Sequence, residues 1–243
     1  MNLIVDIGNT HTKFAVFDAN QVIEQSACLP REALETLRTL LKSYPNLSKG
    51  IVSSTANVPV ALYKTLSQSL ELIQFSHQSN LNFKNAYSTP ETLGLDRVAL
   101  VAAAAEVYPS QNVLVIDAGT CITYDFIDKN AVYHGGAISP GVQMRYKAMH
   151  VFTDQLPQLS LSAPPKGYIG KSTDEAMHIG VYKSICYEID AYINDYRTDY
   201  EDLTIVLTGG DYYLLSASIK NSIFATSNFI WKGLNKILQL NSN

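Results

Sequence analysis

The chain has 243 residues, 47% hydrophobic and 16% charged, enough for one large domain or two small ones and too apolar for a disordered chain. Its formal charge is −4, with no clustered Lys and Arg for a nucleic-acid backbone; the uncharged apolar stretch 98–105 is too short to span a bilayer, and Asp6 interrupts the N-terminal apolar run with no basic segment before it, so neither a membrane partner nor a signal peptide is expected. Cys28, Cys121 and Cys186 are odd in number and lack metal-ligand spacing, which fits reduced thiols in a cytosolic protein.

The chain opens into a strand, Asn2 to Val5. A tight turn, Asp6-Ile7-Gly8-Asn9-Thr10, leads to a second strand from Thr12 to Phe17 and a turn at Asp18-Ala19-Asn20. Leu34, Leu37, Leu40 and Leu41 give residues 31–43 helical spacing. Ile51-Val52 reads as a short buried strand ending at Ser53-Ser54, and residues 58–70 as a helix. Residues 97–108 form an alanine-rich helix stopped by Pro109.

The pattern then restarts. Asn112 to Ile116 is a strand, Asp117-Ala118-Gly119-Thr120 a turn, Thr123 to Ile127 a strand, and Asp128-Lys129-Asn130 a hairpin turn. The two Asp-x-Gly turns lie 111 positions apart, close to half the chain, which points to a duplicated domain, although two three-stranded meanders also look alike by chance. Residues 153–170 carry Pro157, Pro164, Pro165, Gly167 and Gly170, a long irregular connection of the kind used as a lid or binding loop. Ser172 with Glu175 fits a capping box. Ile179, Tyr182, Cys186, Ile189, Ile193 and Tyr196 then recur at alternating three- and four-residue steps, a seam suited either to a partner helix or to the protein's own sheet. A β-rich run, Thr204 to Thr208, enters Gly209-Gly210-Asp211, and residues 229–240 form a terminal helix.

The first turn offers phosphate chemistry. Gly8 permits a sharp turn and close approach of a ligand, Asn9 and Thr10 supply donors, and Lys13 adds an ammonium on the outgoing strand. Asp6, facing phosphates, would be repelled unless it held Mg²⁺ or its waters. One such hairpin is a weak signal; its repetition at Asp117, Gly119, Thr120 and Thr123 makes a two-sided clamp for a polyphosphate. Thr208-Gly209-Gly210-Asp211 suits either a nucleotide's sugar and base or an ordinary strand-to-helix turn. At Gly94-Leu95-Asp96-Arg97, Arg97 can bind a carboxylate bidentately and Asp96 can accept the proton of a substrate hydroxyl. By spacing alone, Asp96 serves equally as a helix cap and Arg97 as a surface charge.

The ordered set Asp6-x-Gly8-Asn9-Thr10-x-x-Lys13, Gly94-x-Asp96-Arg97, Asp117-x-Gly119-Thr120-x-x-Thr123 and Gly135-Gly136-x-Ile138-x-Pro140-Gly141 resembles type III pantothenate kinases. Gly170-x-x-Thr173, Gly180 and Thr208-Gly209-Gly210 follow in the same order, so the resemblance spans nearly the whole chain. It implies the α/β fold of the acetate and sugar kinase, heat-shock 70 and actin superfamily: duplicated ribonuclease-H-like (actin-like ATPase) domains, here 1–110 and 111–243, with mixed five-stranded sheets and an interdomain cleft. It implies a cytoplasmic homodimer that phosphorylates pantothenate in the first step of coenzyme A biosynthesis, using ATP, Mg²⁺ and a monovalent cation, K⁺ or NH₄⁺.

By the same resemblance, Asp6, Ile7, Gly8, Asn9, Thr10, His11, Thr12 and Lys13 hold ATP, with Thr120 assisting. Asp96 is the general base on the primary hydroxyl. Arg97 binds pantothenate, Gly94, Leu95 and Tyr87 line its pocket, and Thr173 contacts it across the dimer interface. Asp117 ligates the monovalent cation. Leu95 and Cys121 stand where the family often has alanine. Two other readings are another small-molecule kinase of the superfamily and a non-catalytic regulator that kept the fold; Arg97 argues against the first and the carboxylates Asp6, Asp96 and Asp117 against the second.

Overall fold

A computed structural model describes residues 1–8, 11–54 and 57–242. In chain order the strands are β1 (Asn2–Ile7), β2 (Thr12–Asp18), β3 (Gln21–Cys28), β4 (Lys49–Ser54), β5 (Glu71–Gln74), β6 (Lys84–Asn85), β7 (Asn112–Ala118), β8 (Cys121–Ile127), β9 (Val132–Pro140), β10 (Leu203–Thr208) and β11 (Phe224–Ala225). The helices are α1 (Ala33–Ser43), α2 (Val60–Ser69), α3 (Leu95–Val107), α4 (Val142–Val151), α5 (Thr173–Asp199), α6 (Tyr212–Ser216) and α7 (Ile230–Asn241). They divide into two compact units, Met1–Val107 with Ile230–Asn243, and Tyr108–Phe229.

In the first unit the sheet order is β3-β2-β1-β4-β5. β1 pairs antiparallel with β2 and parallel with β4, and β5 extends the parallel side. Leu3, Ile4 and Val5 are all buried, as a strand covered on both faces requires. Leu3, Val5, Ile7, Phe14 and Val16 pack with Leu37 and Leu40 of α1 and Leu62 and Leu66 of α2. On the other face α7 contacts β1 and β4 and lies along α3. A Cβ on Gly233 would sit 1.8 Å from the Ala99 carbonyl oxygen, so the two helix backbones touch. Small residues on both sides permit this, and Ala99, Ala102, Ala103 and Ala104 are fully buried. This contact places the terminal helix with the first unit. The second unit therefore ends at Phe229 rather than 243, and the expected 111–243 boundary does not follow the packing.

Within the second unit the order β9-β8-β7-β10-β11 repeats that of the first. The senses also repeat: antiparallel across β7, β8 and β9, then parallel from β7 to β10 and β11. Two superposable strand plans argue for duplication far more strongly than two similar meanders. Both aspartates lie within strands rather than in the turns, since β1 runs on to Ile7 and β7 to Ala118. The α5 seam is resolved in favour of the protein's own core: Tyr182, Cys186, Ile189 and Ile193 are buried against β7, β8 and β10 residues including Ile116, Tyr124 and Ile205. Residues 153–172 contain no helix or strand. Ser172 caps α5 by accepting from the Glu175 N–H at 3.2 Å, while the Glu175 carboxylate reaches back to the Lys171 N–H at 2.7 Å.

Candidate active site

Register decides which side chains share a face. Asp6 pairs with Lys13 on β2 and with Ser53 on β4, so these three stand together at the end of the sheet. Ile7 and Thr12 occupy the opposite face; Thr12 is 1% exposed, which turns its hydroxyl into the core side while His11 is exposed to solvent. The turn closes through a hydrogen bond from the Gly8 N–H to the His11 carbonyl at 3.0 Å. Asn9 and Thr10 lie outside the described residues.

The N-terminus of α3 serves the same face. Burial pushes the Asp6 carboxyl above the ordinary carboxylate range; Lys13 opposes this and the charge of Asp96 adds to it. Asp96 therefore lies within electrostatic reach of Asp6. Its Oδ1 accepts from the Arg97 N–H at 2.8 Å, inside the first helical turn rather than as the residue preceding it. Gly94 leaves room for that carboxylate, since a Cβ there would meet Asp96 Oδ1 at 2.4 Å. Arg97 is 5% exposed, which excludes a surface charge. Its guanidinium carbon lies 5.7 Å from the Tyr87 ring centroid, a cation–π arrangement. Tyr87 is anchored by its N–H to Asn85 Oδ1 at 3.0 Å. Leu95 is half-buried beside this group.

The second unit carries the counterpart. Asp117 pairs with Thr123 on β8 and Thr208 on β10. Where the first copy has Lys13 and Ser53 beside its aspartate, the second has two threonines. An ammonium suits phosphate; an all-oxygen set suits a cation. Thr123 Oγ1 is buried with no hydrogen-bond partner, the state of a hydroxyl whose lone pairs await a ligand. These residues thus fit a monovalent cation. Gly209, at φ +97°, folds over them, and a Cβ there would sit 2.4 Å from Asp117 Oδ1 and 2.3 Å from the Ala118 carbonyl. The Asp211 N–H closes the same contact on the Ala118 carbonyl at 2.9 Å. The Gly119 N–H donates to the Cys121 carbonyl at 3.0 Å, a turn one residue shorter than that at Gly8, and Thr120 projects to solvent. Thr173, the first residue of α5, lines a pocket of about 530 Å³ with Met149, Leu156, Met177 and Val181.

Among the described residues no group of three or more His, Cys, Asp and Glu side chains gathers to hold a metal. Ser53 as a site residue, and the place of Thr208 beside Asp117, escaped sequence reasoning because both links are parallel strand pairings across long separations.

A family model described as type III pantothenate kinase matches residues 2–195. The chain is 47% identical to a type III pantothenate kinase of Christiangramia forsetii over 241 residues, covering 99% of both chains. It is 44% identical to one of Flavobacterium johnsoniae, covering 98% of both. The chain belongs to the type III pantothenate kinase family. Enzymes of that family phosphorylate pantothenate in the first step of coenzyme A biosynthesis, and this chain is a kinase by membership. Solved structures agree on the fold alone. A putative Baf family transcriptional activator from Campylobacter jejuni matches with TM-score 0.62 at 22% identity, covering 98% of this chain and 97% of that one. The activator of 2-hydroxyisocaproyl-CoA dehydratase from Clostridium difficile, solved with ADPNP, matches with TM-score 0.54 at 13% identity, covering 98% and 93%. The pantothenate kinase fold here is thus that of actin-like ATPases and sugar kinases, with mixed sheets; one has the expected five strands, the other six, because the short β6 adds to its edge.

Proposed function

We propose that this chain transfers the γ-phosphoryl group of ATP to the primary hydroxyl of pantothenate, with Asp96 as general base. The carrying observation is the grouping of Asp6, Lys13 and Asp96 in the first unit, where the charges of Lys13 and Asp96 both act on the Asp6 carboxyl. Asp96 accepts the hydroxyl proton as the oxygen bonds to the γ-phosphorus, and the bond from that phosphorus to the β–γ bridging oxygen breaks, releasing ADP. Little covalent work falls to the protein, so positioning and charge neutralisation dominate. Lys13 and the N–H groups of the Gly8 turn neutralise phosphate oxygens, with Asn9, Thr10 and Thr120 adding donors. Asp6 holds Mg²⁺ or its waters. Mg²⁺, when bound, screens the charge of the phosphates.

Arg97 receives the pantothenate carboxylate. Its burial against Tyr87 supports this, because a fixed and poorly hydrated guanidinium is preorganised for a bidentate partner. Gly94 and Leu95 shape the pocket edge, and Thr173 contacts the substrate. Asp117, with Thr123 and Thr208, ligates K⁺ or NH₄⁺. The enzyme acts as a cytoplasmic homodimer; the exposed apolar residues Val151, Phe152, Tyr168 and Ile169 of the second unit are the kind of surface a second copy covers.

The test is ADP release in a coupled assay with pantothenate, acetate or common sugars as acceptor, each with and without K⁺. Turnover with pantothenate alone, raised by K⁺, is expected. Equal turnover with acetate or a sugar, or none with pantothenate, would overturn the proposal.

A further inference from the structure

We infer that Arg145 and Glu188 are a positioning pair for the second nucleotide turn, holding Gly119 and Thr120 in place through the peptide between Pro140 and Gly141. The inference rests on the reading of that turn as phosphate-facing.

Arg145 stands in the first turn of α4 and Glu188 midway along α5. The guanidinium makes four hydrogen bonds. Nε donates to the Pro140 carbonyl at 2.8 Å, and Nη1 to Ser184 Oγ at 3.1 Å. Nη2 donates to Ser139 Oγ at 2.9 Å and to Glu188 Oε2 at 2.5 Å. The other oxygen of Glu188 accepts from the Tyr124 hydroxyl at 2.8 Å. The two charged side chains are 19% and 24% exposed, so this is not one of the weak surface pairs. Burial alone would raise the Glu188 carboxyl, but donors from Ser139, Arg145 and Tyr124 outweigh it and hold the group below its usual range. Only a planar fork can serve a carbonyl, two hydroxyls and a carboxylate from one side chain; a lysine cannot.

What the fork grips is the point. The residue after Pro140 is Gly141, whose N–H donates to the Thr120 carbonyl at 3.0 Å. A Cβ on Gly141 would lie 2.1 Å from the Gly119 carbonyl oxygen, so the Gly141 backbone is pressed directly on the turn. The Gly141 carbonyl in turn accepts from the Arg145 N–H at 3.1 Å, closing a ring back to the cation. From the other side Tyr124 sits on β8, the strand that leaves the turn, and stacks on Tyr192 of α5 at 4.1 Å. The ion pair therefore braces β8, which leaves the turn, and the end of β9, whose following residue Gly141 is pressed on Gly119–Thr120. The core of α5 is already formed by Val181, Tyr182, Ile185 and Ile189, so helix attachment does not need a desolvated charge pair.

The full chain carrying Arg145→Lys, and separately Tyr124→Phe, is tested by calorimetric titration with a non-hydrolysable ATP analogue, well below the melting temperature of each variant. Arg145→Lys is expected to weaken nucleotide binding on the order of tenfold, as the loss of charge-assisted hydrogen bonds implies, and Tyr124→Phe less but in the same direction. A lower melting temperature with unchanged nucleotide affinity would make the pair merely structural. A loss confined to pantothenate would assign it to the Thr173 pocket; either result overturns the inference. If Arg145→Lys does not fold, Tyr124→Phe decides alone. A wild-type chain that binds the analogue but does not phosphorylate pantothenate would refute the kinase assignment and leave this comparison intact.

Discussion

Asp96→Asn changes one charge and almost no shape. Asp96 Oδ1 accepts from the Arg97 N–H at 2.8 Å, and the asparagine carbonyl oxygen preserves that bond, so the first turn of α3 stays formed. The proton acceptor is what disappears. A positioned general base contributes about 10²–10⁴ in rate, or roughly 3–5 kcal/mol of barrier. A second effect follows from Asp6. Burial is the largest cause of its raised pKa and Asp96 a smaller one, so the substitution moves Asp6 part of the way back toward an ordinary carboxylate. The variant should therefore bind an ATP analogue as well as the wild type does, and keep that binding to lower pH. Coupled ADP release gives kcat, and calorimetric titration across pH gives nucleotide affinity. Turnover within about tenfold of wild type would remove Asp96 as the base. A fall in nucleotide affinity matching the fall in kcat would show that the change disturbed the phosphate site instead.

Asp6→Asn should abolish turnover yet raise the melting temperature near neutral pH. A pKa raised in the folded state means that the protonated form is favoured on folding below the unfolded value near 3.8, and that this advantage is lost as pH rises through the folded value. The ionised carboxylate is then a cost at pH 7 that asparagine avoids, so the two melting curves should converge toward pH 4; a variant less stable at pH 7 would contradict this. Gly209→Ala combines a left-handed backbone with a clash on Asp117 Oδ1 and should lose K⁺ stimulation and about 1–2 kcal/mol of stability, read from K⁺ titrations and urea unfolding. Unchanged K⁺ dependence would separate the turn from the cation. Gly233→Ala forces α7 off Ala99 and should cost about 1–3 kcal/mol with substrate affinities preserved; an unaltered urea midpoint would refute the close helix contact.

Much of the fold was legible because its signals are local. The two Asp-x-Gly turns, the alanine-rich helix, the Ser172 cap and the irregular 153–170 stretch each depend on neighbours within a few residues. The α5 seam was visible but its partner was not, since a heptad-like stripe fits another helix and a sheet equally well. The neighbours of the two aspartates, Ser53 beside Asp6 and Thr208 beside Asp117, were hidden because parallel pairing brings together residues that no short motif spans. The Arg145 node was hidden for the same reason, with Tyr124, Ser184 and Glu188 drawn from different elements. Arg97 shows the opposite case: the motif gave its identity, but only packing revealed that a charged residue near a helix start is buried.

The return of α7 to the first unit has a consequence for synthesis. Residues 1–107 leave the ribosome more than a hundred residues ahead of the helix that covers the Ala99–Ala104 face, and Trp231, Leu234, Ile237 and Leu238 come almost last. The second unit, contiguous from Tyr108 to Phe229, is free to mature first although it is made later. Strands β1 and β2 are thus among the first segments translated and, because their sheet waits for α7, among the last to become rigid. A nascent chain stalled before residue 230 should present an open apolar flank to chaperones.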